Sequence, residues 1–308
     1  MTRVAAIDCG TNTIKLLVAD LDPGTGTEHE HVREMRMVRL GQDVDRTGRL
    51  ADAALARTFA AVDEYARIIE GYDVAAVRFC ATSAARDAAN AEEFMRGVQQ
   101  RLGVVPEVVT GDAEAQLSYD GATRRLAGRD LPSPFLVVDI GGGSTELILG
   151  DGHGHVRSAR SLDIGSVRMT ERCLRSDPPT EPEVAEAVAV LDEAIGRSDV
   201  PLEEARTVVG VAGTITTTAA GVLDLPAYDR AAIDQAVLST EAVHAMAERL
   251  LHLTREQRAA LPYMHPGRAD VIGAGALILD RVLRRTKVDT LLVSEADILD
   301  GIAWSLTR

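Results

Sequence analysis

Short apolar runs broken by glycine open the chain. Residues 3–8 (RVAAID) and 14–21 (IKLLVADL) read as strands, and a third follows around 30–40, with turn signals at Gly10-Thr11-Asn12 and Asp22-Pro23-Gly24. Over 51–72 the apolar period lengthens to that of a helix. Leu55, Phe59, Val62, Ala66 and Ile69 recur on one face, and Gly71 follows as a stop. A strand at 74–79 comes next, then a helix opened by Asn90 with Glu93 three residues on, the pattern of a capping box. A strand at 104–109 and a helix from near Gly111 complete the order βββαβαβα.

That order resembles a ribonuclease-H-like α/β fold. A second unit begins at 134–150 (PFLVVDIGGGSTELILG), after the linker 127–134 (AGRDLPSP), and it too runs strand, glycine turn, strand. Asp8-x-Gly10 aligns with Asp139-x-Gly141 at an offset of 131 residues, a weak internal repeat. The expectation is two ribonuclease-H-like domains, 1–128 and 129–308, facing each other across a cleft. Further helices are expected at about 183–197, 241–253 and 268–285, with strands at 207–213 and 289–294. A last helix at about 296–308 is expected to pack back on the first domain.

The 308 residues carry a net charge of −14, which argues against a nucleic-acid or membrane-surface binder. Lysine stands only at 15 and 287, so 31 of the 33 basic residues are arginine. Such a bias suits phosphate binding, but it follows more simply from a GC-rich genome. Cys9, Cys80 and Cys173 form no CxxC pair, and the chain has neither a signal-peptide core near its start nor an apolar run of membrane-spanning length. A cytoplasmic protein is the expectation.

Three glycine turns follow hydrophobic strands. In the first, Asp8 precedes Gly10-Thr11-Asn12-Thr13, whose amides and hydroxyls suit a phosphate; a plain hairpin is the competing reading. In the second, Asp139 leads to Gly141-Gly142-Gly143-Ser144-Thr145-Glu146. Two carboxylates flanking a phosphate-sized turn are the oxygen ligands that Mg²⁺ prefers, against a hairpin with solvated acids. In the third, a strand runs into Gly213-Thr214 and a helix start that favours an anion. The seven histidines show no zinc-type spacing, and His265 reads as part of a turn. Arg268 reads either as an anion contact or as a helix-start ion pair with Asp270 or a nearby acid.

Together the turns resemble the actin, Hsp70 and sugar-kinase superfamily. The segments FCATSAARDAAN (79–90), VVTGDAEAQLSYDG (108–121), LDIGSVRMTE (162–171), YMHPGRADVIGAGALIL (263–279) and VSEADILDGIA (293–303) narrow the resemblance. With DIGGGSTE at 139–146, they are similar to the exopolyphosphatase / guanosine pentaphosphate phosphohydrolase family, over nearly the whole chain. The resemblance implies that Glu114 orients or deprotonates an attacking water, although Ala113 stands where the family has a second acid. It implies that Asp139 and Glu146 are metal-associated, with Asp8 as a further candidate, and that Arg86 lies near the phosphate path. Thr11-Asn12-Thr13 replaces the usual Ser-Asn-Ser with the hydroxyls kept.

The function so implied is Mg²⁺-dependent removal of the terminal phosphate of inorganic polyphosphate, with Mn²⁺ as the alternative metal. Short polyphosphates are expected, because the chain lacks the HD-type module of the long members. Hydrolysis of guanosine pentaphosphate is the alternative within the family, and alarmones are candidate inhibitors. A homodimer is also implied. From another class come an ATP-binding actin-like protein and a non-hydrolytic polyphosphate sensor.

Overall fold

In the computed structural model, residues 1–151 and 154–307 are described, and they fall into two compact units. The first comprises Met1–Gly121 and Ile298–Arg308, the second Ala122–Asp297. The division falls within the helix Gly111–Arg124. Arg308, the end of the expected last helix, lies outside the described residues.

The first unit is built on β1 (Thr2–Cys9), β2 (Thr13–Asp22), β3 (Thr27–Met37), β4 (Ala76–Ala81) and β5 (Glu107–Val108), in the order β3-β2-β1-β4-β5. β1, β2 and β3 form an antiparallel meander, and β4 and β5 add in parallel. Side chains alternate across the sheet, so each strand supplies two cores. Ile7, Ile14 and Leu16 pack with Tyr65, Phe79 and Phe94 under the helices Asp52–Glu70 and Ala91–Leu102. Ala6 and Leu17 pack with Val109, Leu117, Leu299, Ile302 and Trp304 on the opposite face. That second core joins the helix Gly111–Arg124 to the last helix, Ile298–Ser305. The last helix is fastened by a partly buried ion pair, Arg33 Nη2 to Asp300 Oδ1 at 2.6 Å.

The second unit carries β6 (Phe135–Ile140), β7 (Thr145–Gly150), β8 (Val156–Leu162), β9 (Thr207–Val211), β10 (Val237–Ser239) and β11 (Thr290–Val293). Their order is β10-β11-β9-β6-β7-β8. Leaving out the edge strand β10, this repeats the strand order of the first unit. The helices Glu181–Gly196, Thr240–His252 and Ile272–Leu283 bury Leu191, Leu250 and Ile278 against it. The 131-residue repeat is therefore a repeat of topology, and the fold is the α/β class the pattern predicts.

Several local expectations are corrected. β5 is two residues long rather than six, because Pro106 has no N–H to donate to a ladder. Asn90 forms no capping box. Its amide instead clasps Leu50, accepting from Leu50 N at 2.8 Å and donating to Leu50 O at 3.1 Å, so the side chain is spent on a loop 40 residues away.

Candidate functional site

In the first unit, β1 and β2 are joined by the turn Gly10–Thr13, closed by Gly10 N donating to Thr13 O at 2.9 Å. The segment 38–41 braces it: Val38 N and Arg39 N donate to Asn12 O, and Gly41 N donates to Thr11 O at 2.8 Å. Gly41 is required there, because a Cβ would run into the Thr11 side chain. Thr11 Oγ1 shares a 2.9 Å hydrogen bond with Ser83 Oγ, which ties the turn to the short helix Ser83–Arg86 after β4. Asp8 closes β1 opposite Lys15 of β2, with Lys15 Nζ 3.6 Å from Asp8 Oδ2.

Glu114 lies in the first turn of Gly111–Arg124 and is only 6% exposed. Arg86 Nη1 donates to Glu114 Oε2 at 2.9 Å and to Val109 O at 2.9 Å. One guanidinium thus fixes both the carboxylate and the link between β5 and its helix. Burial pushes the nearby Cys80 thiol up to about 12, and the carboxylates of Glu107, Asp8 and Glu114 add to that push. Asp8 and Glu114 therefore act on one stretch of the sheet. Cys9 and Cys80 are free and buried with raised thiol pKa values, which fits neither as a nucleophile.

In the second unit the turn Gly141–Ser144 closes in the same way, Gly141 N donating to Ser144 O at 3.0 Å. The start of the helix Ser166–Arg172 holds it from behind. Ser166 N donates to Gly141 O, Val167 N and Arg168 N donate to Gly142 O, and Arg168 Nε donates to Gly143 O at 2.8 Å. The carbonyls of all three glycines are engaged on that side. Asp139 and Glu146 are register partners across the hairpin and both are buried. Such partners hold their Cβ atoms about 4.5–5.5 Å apart on one face of the sheet. Glu146 Oε1 also accepts from Ser161 Oγ at 2.7 Å.

The third turn leaves β9, the parallel neighbour of β6, and Asp139 pairs in register with Val211. Both turns thus emerge at the carboxyl ends of adjacent strands, where open α/β sheets bind ligands. Ala212 adopts a left-handed φ of 67°, and the helix Ala212–Val222 begins at once. Gly275 packs against both Thr214 and Ser166, which fixes the third turn to the brace of the second.

The first unit thus brings together Asp8, Gly10–Thr13, Arg86 and Glu114. The second brings together Asp139, Gly141–Ser144, Glu146, Gly213 and Thr214. Thr145 stands apart: fully buried, it donates its hydroxyl to Ile164 O. Arg268 Nη1 donates to Thr217 Oγ1 at 3.0 Å, and its guanidinium lies on Gly213, where a Cβ would come within 2.5 Å of it. His265 accepts from Gly267 N at 3.1 Å, the turn role expected of it.

Among the described residues no cluster of three or more His, Cys, Asp or Glu is placed to hold a metal. The Asp139–Glu146 pair fits a different arrangement. Mg²⁺ is commonly held by one or two carboxylates together with substrate phosphates and waters, rather than by an all-protein cage. Among the described residues no helix is long and apolar enough to cross a membrane.

Residues 18–307 match the profile described as the Ppx/GppA phosphatase family. The chain is 49% identical to "Exopolyphosphatase 2" of Mycobacterium tuberculosis over 99% of both chains. Among solved structures, an exopolyphosphatase-like protein superposes with a TM-score of 0.95 at 45% identity, covering 99% of this chain and 97% of that one. The Ppx/GppA family member of Aquifex aeolicus superposes with a TM-score of 0.83 at 32% identity, again covering 99% of this chain and 97% of the other.

Proposed function

The chain belongs to the Ppx/GppA phosphatase family, and we propose that it is an exopolyphosphatase, a hydrolase that releases the terminal phosphate of inorganic polyphosphate. The observation that carries this reading is Glu114, buried at a helix start and held through Oε2 by Arg86. A carboxylate fixed in this way has a set orientation, which a base for water requires.

In the proposed reaction, a water oxygen attacks the terminal phosphorus as Glu114 takes a proton from it. The bridging P–O bond breaks, and its electrons leave on the shortened chain. Phosphoryl transfer of this kind depends on position and on offsetting the phosphate charge. The amide side of the turns Gly10–Thr13 and Gly141–Ser144, with Gly213 and Thr214, supplies donors to phosphate oxygens. Phosphatases of this family use a divalent metal in general. We assign Mg²⁺ to Asp139 and Glu146, where it would offset phosphate charge when bound. Asp8 is kept outside that pair, since Lys15 offsets its charge. Thr145 is left to a structural role by its bond to Ile164.

Free, buried cysteines support placement in the cytoplasm. A homodimer, and alarmones as inhibitors, complete the reading; sizing and inhibition assays test them.

The deciding experiment is phosphate release with Mg²⁺ from triphosphate, long polyphosphate, ATP and guanosine pentaphosphate in parallel, for wild type and Glu114→Ala. Release from polyphosphate is expected, with a loss of about 10²-fold or more in the variant, the usual contribution of a positioned base. Equal activity of the folded variant sinks the role of Glu114. Preference for guanosine pentaphosphate over every polyphosphate length transfers the substrate to the alarmone.

A further inference from the structure

Large aromatic side chains are scarce in this chain, and nearly all of them line its cores. Of the ten Phe, Tyr and Trp residues, Tyr228 alone is exposed among the described residues, at 39%. It belongs to the segment between the helix Ala212–Val222 and β10. That segment runs back along the helix toward its start, where the Tyr228 hydroxyl lies 2.8 Å from Thr216 Oγ1. Thr216 stands three residues beyond Gly213. The phenol is therefore fixed beside the third glycine turn.

The same hydroxyl donates to Glu295 Oε1 at 2.6 Å. Glu295 follows the carboxyl end of β11, where Ser294 N donates to Gly210 O of β9 at 2.9 Å. Its side chain is 12% exposed, with Arg230 Nε 3.4 Å from Oε2. Its backbone N donates to Asp234 Oδ1 at 2.9 Å. The carboxylate that holds the phenol is thus itself held. The charge of Arg268, whose guanidinium lies on Gly213, also reaches the phenol.

An amphipathic side chain ordinarily keeps its polar tip in water and its apolar body covered. Tyr228 does the reverse. Its hydroxyl is sheltered between Thr216 and Glu295, where burial holds the phenol above its ordinary pKa, and the ring carries the exposure. With its tip pinned, the ring has little rotamer freedom left to lose on binding. A rigid aromatic face beside a phosphate turn is a platform for a flat base. A bare phosphate chain offers nothing to stack there, and the Glu295 carboxylate disfavours a further anion.

We infer that Tyr228 is the base-stacking residue of a nucleotide site in the second unit, with the phosphates of a nucleoside polyphosphate at the third turn and its base on the ring. This rests on the reading of Gly213 and Thr214 as phosphate donors. It goes beyond the polyphosphate reading, because inorganic polyphosphate has no base. Tyr228 then separates a nucleoside polyphosphate from a bare chain with the same number of phosphates.

The test is calorimetric titration of GTP, ATP and inorganic triphosphate with Mg²⁺ present, in the Glu114→Ala background so that hydrolysis is slowed. Into that background go Tyr228→Phe, Tyr228→Leu and Tyr228→Leu/Glu295→Gln. Phosphate release from long polyphosphate is measured beside it with the wild-type protein. Triphosphate lacks a base, so the ratio of the affinities reads the base alone. With Tyr228 in place, both nucleotides are expected to bind about five- to hundredfold more tightly than triphosphate, the scale of one base stacked on an aromatic ring. Tyr228→Phe keeps most of that preference, and Tyr228→Leu abolishes it. The double variant leaves no buried carboxylate without its phenol, so it carries the comparison if Tyr228→Leu does not fold. Nucleotides bound no better than triphosphate overturn the inference, as does a preference that survives in Tyr228→Leu or in the double variant. Equal weakening of nucleotide and triphosphate means that Tyr228 only supports the turn, and overturns it too. Protein that shows the Tyr228-dependent preference but releases no phosphate from polyphosphate removes the hydrolase reading and leaves the inference standing. Polyphosphate hydrolysis without the preference removes the inference alone.

Discussion

Gly165 lies directly on the backbone of Gly142. A Cβ at 165 would overlap the Gly142 carbonyl and stand 2.5 Å from Gly143 N. These neighbours are backbone atoms, so no rotamer change relieves the overlap. Gly165→Ala should push the second turn off its brace. Misplacement by about 1 Å can cost on the order of 10²-fold in rate. Phosphate release by the variant is expected to fall by about that factor, more than its thermal unfolding midpoint predicts. Wild-type rates in Gly165→Ala would show that the turn does not depend on this contact.

A second close approach lies in the first unit. A Cβ on Gly301 would overlap the Leu117 carbonyl oxygen and come within 2.8 Å of its carbon. Leu117 is one helical turn beyond Glu114. Gly301→Ala is expected to cost about 1–3 kcal/mol through overpacking and to displace the Glu114 helix. Urea unfolding reads the first effect. A fall in kcat greater than the change in KM reads the second; equal stability in the variant would contradict both.

The strands, the glycine turns and the 131-residue echo were legible because apolar alternation and glycine punctuation are local. β8 and β10 were not. β8 is a polar edge strand, with Arg157, Ser158 and Arg160 among its seven residues, and β10 spans three residues. Each is ordered by a neighbour rather than by its own period. The pairing of Arg86 with Glu114 joins residues 28 apart and depends on how β5 leads into the helix. Asn90 was misread for a related reason. Its type and its spacing to Glu93 satisfy the local rule for a cap, but a tertiary partner, Leu50, takes the side chain.

The Asn90 clasp gives a stability prediction separate from catalysis. Asn90→Ala removes a partner from both polar groups of buried Leu50. The expected loss is about 1–3 kcal/mol, with kcat unchanged. Asn90→Asp should also be destabilised, since a carboxylate accepts from Leu50 N but cannot donate to Leu50 O. Denaturant midpoints check the stability, and steady-state rates check the separation.

Glu183 gives a pH prediction. Hydrogen bonds from Thr180 N, then from the Thr180 hydroxyl and Ser176, hold its carboxyl at about 2, below the ordinary 4.5. The folded value is depressed, so this contribution to stability is present above pH 4.5 and is lost as pH falls toward 2. Glu183→Gln should flatten that part of the acid-unfolding curve. An unchanged acid limb would mean that the cap of the helix Glu181–Gly196 does not govern it.

The ion pair of Arg33 with Asp300 spans 267 residues of sequence. A ribosome thus delivers Arg33 and Glu114 early, and everything in Ala122–Asp297 afterwards, before Asp300 exists. During that interval the core containing Ala6, Leu17 and Leu117 lacks Leu299, Ile302 and Trp304. The second unit can be assembled as a whole while the first is still incomplete. The packing of the Glu114 helix is completed by residues made after the whole second unit, so a nascent chain that stops short of Ile298 has the turns Gly10–Thr13 and Gly141–Ser144 before that helix has its full core.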